Sequence, residues 1–314
     1  MMVRLGYVAL SKAMENITTS HTITYTNYLN NNYPVDKLID ITSNNLEALE
    51  KIITYNIKNN IHFYRLTSKL VPLATHDKIK YDYITSLKDK YKKIGELINK
   101  YNLRIDTHPD QYAVLNSMNN KIVKNTVEIL KYHYNILDAL KIKNKIIILH
   151  VGSGTCGKKA SITRFINNFK KLPSYIQKCI AVENDDKIYN IIDVLYLCNT
   201  LNIPMVLDYH HYVCNNNGDN LEDYIKEIMD TWSNINPKFH FSSPKSNLKK
   251  EFRSHHDYIN SDDFIKFINM LKIYNKDVDI MLEAKAKDDA LSRLVRELKY
   301  KTNYQFLNES TFII

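Results

Sequence analysis

The segment IIILHVG at residues 146–152 decides how this chain is expected to fold. A short apolar run of this kind is typical of a strand buried on both faces of a sheet. It ends in a histidine, which is a side chain that binds metals. Five other short runs along the chain end in the same way, in a His, an Asp or a Glu. The six terminal residues are His108, His150, Glu183, Asp208, His240 and Glu283.

These six residues can come together only if their strands lie side by side and run in the same direction. Each residue lies about one strand-helix unit beyond the previous one. The carboxyl ends of parallel strands meet at one rim of a barrel, and barrel enzymes carry their active sites there. The pattern therefore predicts an α/β fold, a TIM (β/α)8 barrel with a metal-centred active site at the C-terminal rim of the strands.

Short apolar runs alternate with longer amphipathic stretches along the whole chain, and there are eight of each. Eight units close a parallel barrel, because each helix returns the chain to the starting edge of the sheet. The predicted strands are Val3–Val8, Phe63–Leu66, Arg104–Thr107, Ile146–His150, Cys179–Glu183, Met205–Asp208, Lys238–Phe241 and Val278–Glu283. The predicted helices lie within Lys37–Lys58, Asp82–Tyr101, Val123–Leu140, Lys158–Leu172, Tyr189–Asn202, Leu221–Trp232, Asp262–Leu271 and Asp288–Lys299. Two polar segments, Ser20–Pro34 and Ser242–Tyr258, are predicted to be long loops at the substrate-binding rim.

Size and composition are compatible with one barrel domain that spans residues 1–314. The chain is 44% hydrophobic, and we expect neither a signal peptide nor a membrane span, because no apolar run is long enough. Four cysteines without a CxxC pair indicate reduced thiols in a cytoplasmic protein. The net charge of +9 suggests a polyanionic partner such as nucleic acid, although the many Lys, Asn and Ile residues are also what an AT-rich genome produces.

Alternation along the strands places the candidate ligands on the inner face of the barrel. In Lys238–Phe241, for example, Lys238 and His240 are expected to face the axis while Phe239 and Phe241 face the helices. Imidazole and carboxylate groups together suit Mn, Zn or Fe, and their number exceeds what one tetrahedral ion requires. Two or three ions that share carboxylates are expected, an arrangement suited to in-line displacement at phosphorus.

Lys238 is unusual, because an ammonium group that faces divalent cations is repelled by them. Its pKa is expected to fall. Reaction with carbon dioxide to form a carbamate that bridges two ions is predicted, and an unmodified amine paired with Glu183 is the alternative.

The segment GSGTCGKK, Gly152 to Lys159, matches the phosphate-binding pattern GxxxxGK. The next position should carry a Ser or Thr hydroxyl to hold magnesium, but it carries Lys159. No nucleotide cofactor is therefore expected. The loop and the helix that follows it are predicted to line the phosphate backbone of a larger substrate.

Taken together, the motifs resemble those of the UV damage endonucleases, a family of DNA repair enzymes. The resemblance runs from Val3 to about Leu298, with the motifs in the same order. They are GYV near the start, RLTSKLVPLATH from Arg65, THPDQY from Thr107, LHVG, VENDDK, DYHH, HFSSPKS from His240 and EFRSHHDYI.

The resemblance implies a TIM-barrel hydrolase that depends on manganese, with Zn²⁺, Mg²⁺ or Co²⁺ as substitutes. It would cut damaged double-stranded DNA immediately 5′ of cyclobutane dimers, 6-4 photoproducts and some abasic sites, leaving a 3′-hydroxyl and a 5′-phosphate. A monomer that acts on the nucleoid in the cytoplasm is expected.

The resemblance also implies roles for individual residues. Implied metal ligands are His108, His150, Glu183, Asp208, His211, His240, His255 and Glu283. Implied catalytic residues are Glu183, Lys238, His240 and Glu283. Expected contacts with DNA are Tyr7, His76, Gln111, Tyr112, Lys245 and Arg253. The loop after Tyr7 lacks an Asn that some members carry, and Ser11 is expected to replace it.

Three other functions remain compatible with the residues. The first is an abasic-site endonuclease on the same barrel, and the second is a sugar isomerase with two metals. The third is a DNA-binding module without catalysis, which would have no need for buried carboxylates.

Overall fold

Strand pairing closes a ring in the computed structural model, which describes residues 1–314. Strand β1 (Met2–Val8) pairs in parallel with β2 (Phe63–Leu66) on one side and with β8 (Val278–Leu282) on the other. The strands between them pair in sequence order, each parallel to the next. They are β3 (Arg104–Thr107), β4 (Ile147–His150), β5 (Ile180–Glu183), β6 (Met205–Asp208) and β7 (Lys238–Phe241). The predicted TIM barrel is confirmed.

The helices that connect the strands lie where the sequence pattern predicts them, with ends shifted by a few residues. A 3₁₀ turn at Thr85–Leu87 precedes the third helix. The longer helices are α2 (Val35–Lys58), α3 (Lys88–Lys100), α4 (Asn120–Ala139), α5 (Lys158–Phe169), α7 (Ile191–Leu201), α9 (Glu222–Asp230), α10 (Ser261–Lys272) and α11 (Lys287–Lys301). None of them combines the length and the apolar character that a membrane span needs.

Three short helices were not predicted. Helix α1 (Tyr25–Asn30) forms inside Ser20–Pro34, where only a loop was expected, and the Thr24 side chain caps its first turn. Helix α6 (Ser174–Gln177) precedes β5, and α8 (Tyr209–Cys214) follows β6 directly. Each has four to six residues, which is too short for a helical repeat of apolar residues to stand out in a sequence.

A C-terminal hairpin, also not predicted, completes the barrel at the base. Strands β9 (Gln305–Phe306) and β10 (Thr311–Ile313) pair with each other in antiparallel fashion. Strand β10 then pairs with the first half of β1, from Met2 to Arg4, whereas β2 pairs only with its second half. The hairpin therefore occupies the gap that opens between β1 and β2 at the base.

The two faces of the strands have different surroundings, as the alternation predicts. Phe239 and Phe241 of β7 point outward and pack edge-on against Phe267 and Phe264 of α10, at ring-centroid distances of 5.7 and 5.1 Å. Inside the barrel, a small apolar cluster fills one side. It consists of Ile146, Ile148, Ala181, Val206 and Trp232.

Charged side chains fill the other side of the barrel interior. At the base, Arg4 and Arg104 both bind Asp279, each with an N–O distance of 2.6 Å. Nearer the rim, Lys238 donates to Asp106 at 2.5 Å, and Arg65 lies at the rim itself. We call this set of six buried or half-buried residues the charged column: Arg4, Arg104, Asp279, Lys238, Asp106 and Arg65. It connects the base of the barrel with the site at the rim.

Candidate metal centre

The six residues that end the predicted strands converge at the carboxyl rim of the barrel. Glu183, Asp208 and His240 are buried, and the other three are half-buried. Their ligand atoms form two groups, within each of which all atoms lie within 4.8 Å of one another. The first group is His108, His150 and Glu183, and the second is Glu183, Asp208, His240 and Glu283. Glu183 belongs to both groups, so it is the carboxylate that links them.

In the first group, ring nitrogens face one oxygen of Glu183. His108 Nδ1 lies 3.0 Å from the Pro109 carbonyl oxygen and donates to it, so Nε2 is the nitrogen that points toward Glu183. That Nε2 lies 3.0 Å from Glu183 Oε2, and His150 Nε2 lies 3.9 Å from the same oxygen. Two ring nitrogens and one carboxylate oxygen therefore converge on the space that a cation would occupy.

In the second group, three carboxylates surround His240. Its Nδ1 lies 3.0 Å from Glu183 Oε1 and 3.2 Å from Glu283 Oε1. Asp208 Oδ2 is buried without a hydrogen-bond partner. Burial, with repulsion from Glu183 and Glu283, raises the pKa of Asp208 to about 8. A buried carboxyl group with so high a pKa has too little positive charge around it, and a bound cation would supply that charge.

Glu183, Glu283, His240 and His150 also have shifted pKa values. Burial acts to raise the pKa of Glu183, but His240 and His150 hold it well below its usual range. Arg65 and His240 do the same for the pKa of Glu283 against the effect of burial. Burial lowers the pKa of His240 to about 4 and also lowers that of His150. Both rings are therefore neutral near pH 7, the form that binds metals.

His211 and His255 lie at the edge of the two groups. His211 Nδ1 donates to the Asn184 carbonyl oxygen at 2.9 Å. Burial acts to lower the pKa of His211, but Asp208 and Glu183 hold it well above its usual value, so Nε2 becomes a ligand atom only after it loses its proton. The Asp208 side chain fixes the start of α8 by accepting from the His211 backbone N–H at 2.7 Å. His255 Nδ1 is 3.9 Å from Glu283 Oε2. Neither histidine is in the two tight groups, although both were expected as ligands.

The donor set fits a divalent metal centre. It offers imidazole nitrogens and carboxylate oxygens without sulfur, the combination that suits Mn, Zn or Fe. His108 Nε2 and Glu183 Oε2 converge, and Asp208 has an acceptor without a partner. Because Glu183 links both groups, the residues favour more than one ion.

Lys238 is fully buried below these groups, on the axis of the barrel. Its ammonium group pairs with Asp106, so the alternative prediction that it pairs with Glu183 is wrong. Burial lowers the pKa of Lys238 to about 7, although Asp106 acts in the opposite direction. A substantial fraction of the amine is then neutral, as reaction with carbon dioxide requires. The carbamate stays a prediction, which the intact mass of gently handled protein would check.

Two residues of the charged column were missed as parts of the site. Arg65, near the end of β2, donates to Glu283 Oε1 at 2.6 Å and to His240 Nε2 at 2.5 Å. Asp106, on β3, accepts from Lys238. Both side chains face the barrel interior from positions next to the last residue of their strands. The alternation that placed Lys238 could therefore also have placed them.

Gln111 and Tyr112 lie on the exposed surface beside the metal centre. The Tyr112 side chain is 77% exposed, which is unusual for an aromatic residue. Both residues line an open cavity of about 680 Å³ that also includes His150 and His211. The expected pair of DNA-contacting residues is therefore next to the candidate ligands and free to meet a partner.

Tyr7 and Ser11, in contrast, do not lie in an open pocket. Tyr7 is fully buried, and its hydroxyl donates to Asn56 Oδ1 at 2.7 Å. The Ser11 hydroxyl donates to Asp288 Oδ2 at 2.6 Å. Because both polar groups are turned inward, DNA would reach them only after a rearrangement, and the expected contact of Tyr7 with DNA and the replacement of the missing Asn by Ser11 stay predictions.

The other expected DNA contacts are on the surface but already have protein partners. His76 stacks on Tyr25 of α1 with a centroid distance of 4.0 Å. Lys245 forms an ion pair with Glu251, and Arg253 Nε lies 3.5 Å from Asp186. All of these side chains are partly exposed, so DNA would have to exchange or share these contacts.

The loop that resembles a nucleotide-binding loop lies between β4 and α5. Gly157 adopts a positive φ of 89° there, which favours glycine. The Lys158 ammonium group, at the position where a nucleotide-binding lysine would be, donates instead to Asp193 at 2.6 Å.

Comparisons with known proteins agree with this geometry. The family model described as UV-endonuclease UvdE matches residues 3–310. The chain belongs to the UvdE family. As a member of this family it is an endonuclease, and therefore a hydrolase. The UV DNA damage endonuclease of Bacillus thuringiensis subsp. konkukian (strain 97-27) is 41% identical, with 99% of each chain covered.

Two solved structures share the barrel fold of this chain. The crystal structure of SacUVDE superposes with a TM-score of 0.86 at 34% identity, covering 95% of this chain and 98% of the other. Endonuclease IV from Thermus thermophilus gives a TM-score of 0.57 at 11% identity, covering 95% and 98%. This second similarity shows a shared fold only.

Proposed function

We propose that the protein is a metal-dependent DNA repair endonuclease that cuts immediately 5′ of UV photoproducts. The substrates would be cyclobutane dimers and 6-4 photoproducts, with abasic sites as a further class, and the products would carry a 3′-hydroxyl and a 5′-phosphate. The observation that carries this proposal is the position of Glu183 in both groups of ligand atoms. A carboxylate shared in this way is what a centre with two or more ions requires.

The ligands proposed for two or three Mn²⁺ ions, or for Zn²⁺, Mg²⁺ or Co²⁺ in their place, are the eight expected from the sequence. His108, His150 and Glu183 form one site, and Glu183, Asp208, His240 and Glu283 form another. His211 and His255, at the edge of these groups, would complete the set. When bound, the ions would supply Lewis acidity at phosphorus and a nucleophile at neutral pH.

The protein's own residues orient these groups. The Pro109 and Asn184 carbonyl oxygens hold the rings of His108 and His211, which fixes the nitrogen that each ring offers. Asn184 and Asp208 hold each other, since the Asn184 amide donates to the Asp208 carbonyl and accepts from the Asp208 N–H. The catalytic roles proposed for Glu183, Lys238, His240 and Glu283 rest on this arrangement.

Gln111 and Tyr112 are proposed to enter the duplex at the lesion. A dimerised pair of bases is weakly stacked and paired, so extruding it costs less than extruding intact bases. An exposed aromatic residue with an amide neighbour can fill the space that remains, as intercalating side chains do. His76, Lys245 and Arg253 would hold phosphates with little regard to sequence. The whole chain would act as one endonuclease unit, a monomer on chromosomal DNA in the cytoplasm.

Incision of a defined lesion tests the proposal. An end-labelled duplex with one thymine cyclobutane dimer, incubated with the protein and Mn²⁺, is expected to give a single cut on the 5′ side. Matched duplexes with a 6-4 photoproduct, an abasic site or no damage are run in parallel. Resealing of the nick by a DNA ligase would establish the 3′-hydroxyl and 5′-phosphate ends.

The comparison among these duplexes separates the alternatives. Cutting of the abasic duplex alone would make the protein an abasic-site endonuclease of the same barrel type. No cutting of any duplex with any of the four metals would contradict the proposed metal-dependent incision.

Tyr112→Ala is expected to reduce recognition of damage. Stacking of a base on an aromatic ring is worth about 1–3 kcal/mol, so binding to the dimer-containing duplex should weaken by roughly tenfold. Binding to undamaged duplex should change little, because phosphate contacts supply most of it. Fluorescence anisotropy with both duplexes measures the two affinities.

The control is Tyr300→Ala, because Tyr300 is 92% exposed at the end of α11 away from the rim. Equal weakening on both duplexes would contradict the stacking role.

A further inference from the structure

The base of the barrel contains a cavity of about 240 Å³, at the opposite end from the candidate metal centre. The lower part of the charged column forms its floor, with Arg4 of β1, Arg104 of β3 and Asp279 of β8. The loops that precede β3, β4 and β7 surround its mouth. Sites for drug-sized ligands usually have volumes of about 300–1,000 Å³, so this cavity suits a smaller molecule.

Positive charge is in excess on the floor of this cavity. Arg4 donates to both oxygens of Asp279, at 2.7 and 2.6 Å, and Arg104 Nη1 donates to one of the same oxygens at 2.6 Å. Asp279 is fully buried and is the only acidic residue that lines the cavity. The next acidic group of the column, Asp106, is already paired with Lys238. Two largely buried guanidinium groups therefore share one carboxylate, and an uncompensated charge in such a place is costly in free energy.

Several N–H groups of the two arginines are unused. Arg4 Nη1 and Arg104 Nε donate to no acceptor in the protein, and Arg104 Nη2 is buried without a hydrogen-bond partner. The Arg104 side chain is only 10% exposed, and its guanidinium carbon lies 5.4 and 5.2 Å from the ring centres of Phe63 and Trp232. The two rings and Asp279 hold the guanidinium group in place. A fixed guanidinium group with free N–H groups is suited to bind an oxyanion.

Further donors surround the mouth of the cavity. Asn102, Asn144 and Asn234 come from three different loops, and their side-chain amides make no hydrogen bond within the protein. Lys143, next to Asn144, adds an exposed positive charge. Donors on the floor and at the mouth therefore line the same small space. A tetrahedral oxyanion can accept from all of these directions at once, because it carries acceptor oxygens on every side.

We propose that the cavity at the base of the barrel is a binding site for a phosphate group, with inorganic phosphate as its ligand. Arg4 Nη1 and Arg104 Nε donate to the anion from the floor, and the asparagine amides donate from the mouth. The anion supplies the negative charge that the two arginines lack, so it stabilises the folded protein. The site lies at the opposite end from the rim, so phosphate there does not compete with DNA.

Trp232 makes the test possible with the unmodified chain, because it is the only tryptophan and contacts Arg104. Metal-free wild-type protein is titrated with inorganic phosphate at constant ionic strength. We expect a saturable change in tryptophan fluorescence and a rise in the melting temperature, and neither effect with chloride alone. A deoxynucleoside 5′-monophosphate should bind more weakly, because the cavity is small. Absence of a saturable response to phosphate in both measurements would overturn the inference.

Arg4→Met should weaken phosphate binding by at least about tenfold, because it removes a donor and the excess charge together. The variant leaves Arg104 and Asp279 as a balanced pair, so it is expected to fold. Arg293→Met makes the same change in an exposed arginine of α11 that does not line the cavity, and should bind phosphate as wild type does.

A second variant does not disturb the buried charges. Asn144→Ala combined with Asn234→Ala changes two exposed side chains, so the melting temperature without phosphate should equal that of wild type. Phosphate binding should weaken by about threefold, because two hydrogen bonds are lost. Wild-type affinity in both this variant and Arg4→Met would show that phosphate binds elsewhere and would contradict the proposed site.

A short undamaged duplex separates the cavity at the base from the DNA-binding rim. The backbone of a duplex is too large to enter this cavity, so a saturating amount of duplex should leave the affinity for phosphate unchanged. Displacement of phosphate by the duplex would place the anion at the rim, and the site at the base would then be ruled out.

Discussion

Glu183→Gln is expected to reduce incision of a dimer-containing duplex by about a thousandfold or more. Glu183 is the only residue shared by the two groups of ligand atoms, so its loss affects both at once. Glutamine keeps the shape of the side chain but removes its charge, and its amide nitrogen replaces one of the two oxygens that would bind ions. Because Glu183 is only 1% exposed, it does not form part of the duplex-binding surface, and binding should be largely retained.

Single-turnover incision and anisotropy on the same duplex separate catalysis from binding. Glu128→Gln makes the same chemical change in an exposed residue of α4, where it pairs with Lys131, and should leave both quantities unchanged. If Glu183→Gln cut at the rate of wild type, Glu183 would have no role in the mechanism.

Asp106→Asn is expected to give the largest loss of stability. Asp106 and Lys238 are both fully buried, and they are joined by a hydrogen bond of 2.5 Å. Asparagine has nearly the same size but leaves the Lys238 ammonium group without a counter-ion. Removal of one partner of a buried ion pair typically costs about 3–5 kcal/mol, because the remaining amine must either stay charged without a partner or give up its proton. Denaturant unfolding of metal-free protein measures the free energy of unfolding.

Two comparisons test whether the pairing is the cause. Adding Lys238→Met to Asp106→Asn removes the unpaired charge and should restore part of the lost stability. Asp230→Asn breaks a surface pair with Lys226 of similar length, 2.7 Å, and should lower the free energy of unfolding far less, because water screens an exposed pair. Equal losses in the single and double variants would show that the ion pair does not control stability at this position.

The strands and longer helices were predictable because each carries a local pattern. Strands of the barrel are short runs rich in apolar residues, since both of their faces are buried, and several of them end at a polar residue such as His150 or Asp208. Convergence of these residues followed from strand direction alone. The alternation within β7 then placed Lys238 and His240 correctly inside and the two phenylalanines outside.

The elements that were missed have no such pattern. The hairpin β9–β10 has strands of two and three residues, and its pairing with β1 depends on closure of the barrel, which local sequence does not encode. Helix α8 begins in the strand-end motif itself, at Tyr209, directly after Asp208.

Within the candidate site, the sequence could not show which side chains contact each other. The sequence placed Lys238 next to cations but could not show that Asp106 lies within reach, because 132 residues separate them. Tyr7 was assigned to DNA by family resemblance, while the structure turns its hydroxyl toward Asn56 of α2. Arg65 was visible in a quoted motif, but its contacts with Glu283 and His240 exist only in the closed ring.

The charged column has a consequence for engineering this barrel. Interiors of this fold are usually treated as a volume to be filled with branched aliphatic side chains. Here, positive and negative groups alternate from the base of the barrel to its carboxyl rim. Replacing one of them by a leucine of suitable size would therefore leave a neighbouring charge buried without a partner. Designs that increase thermal tolerance should therefore change these positions in oppositely charged pairs, or confine substitutions to the apolar patch around Trp232 and to the layer beneath the helices.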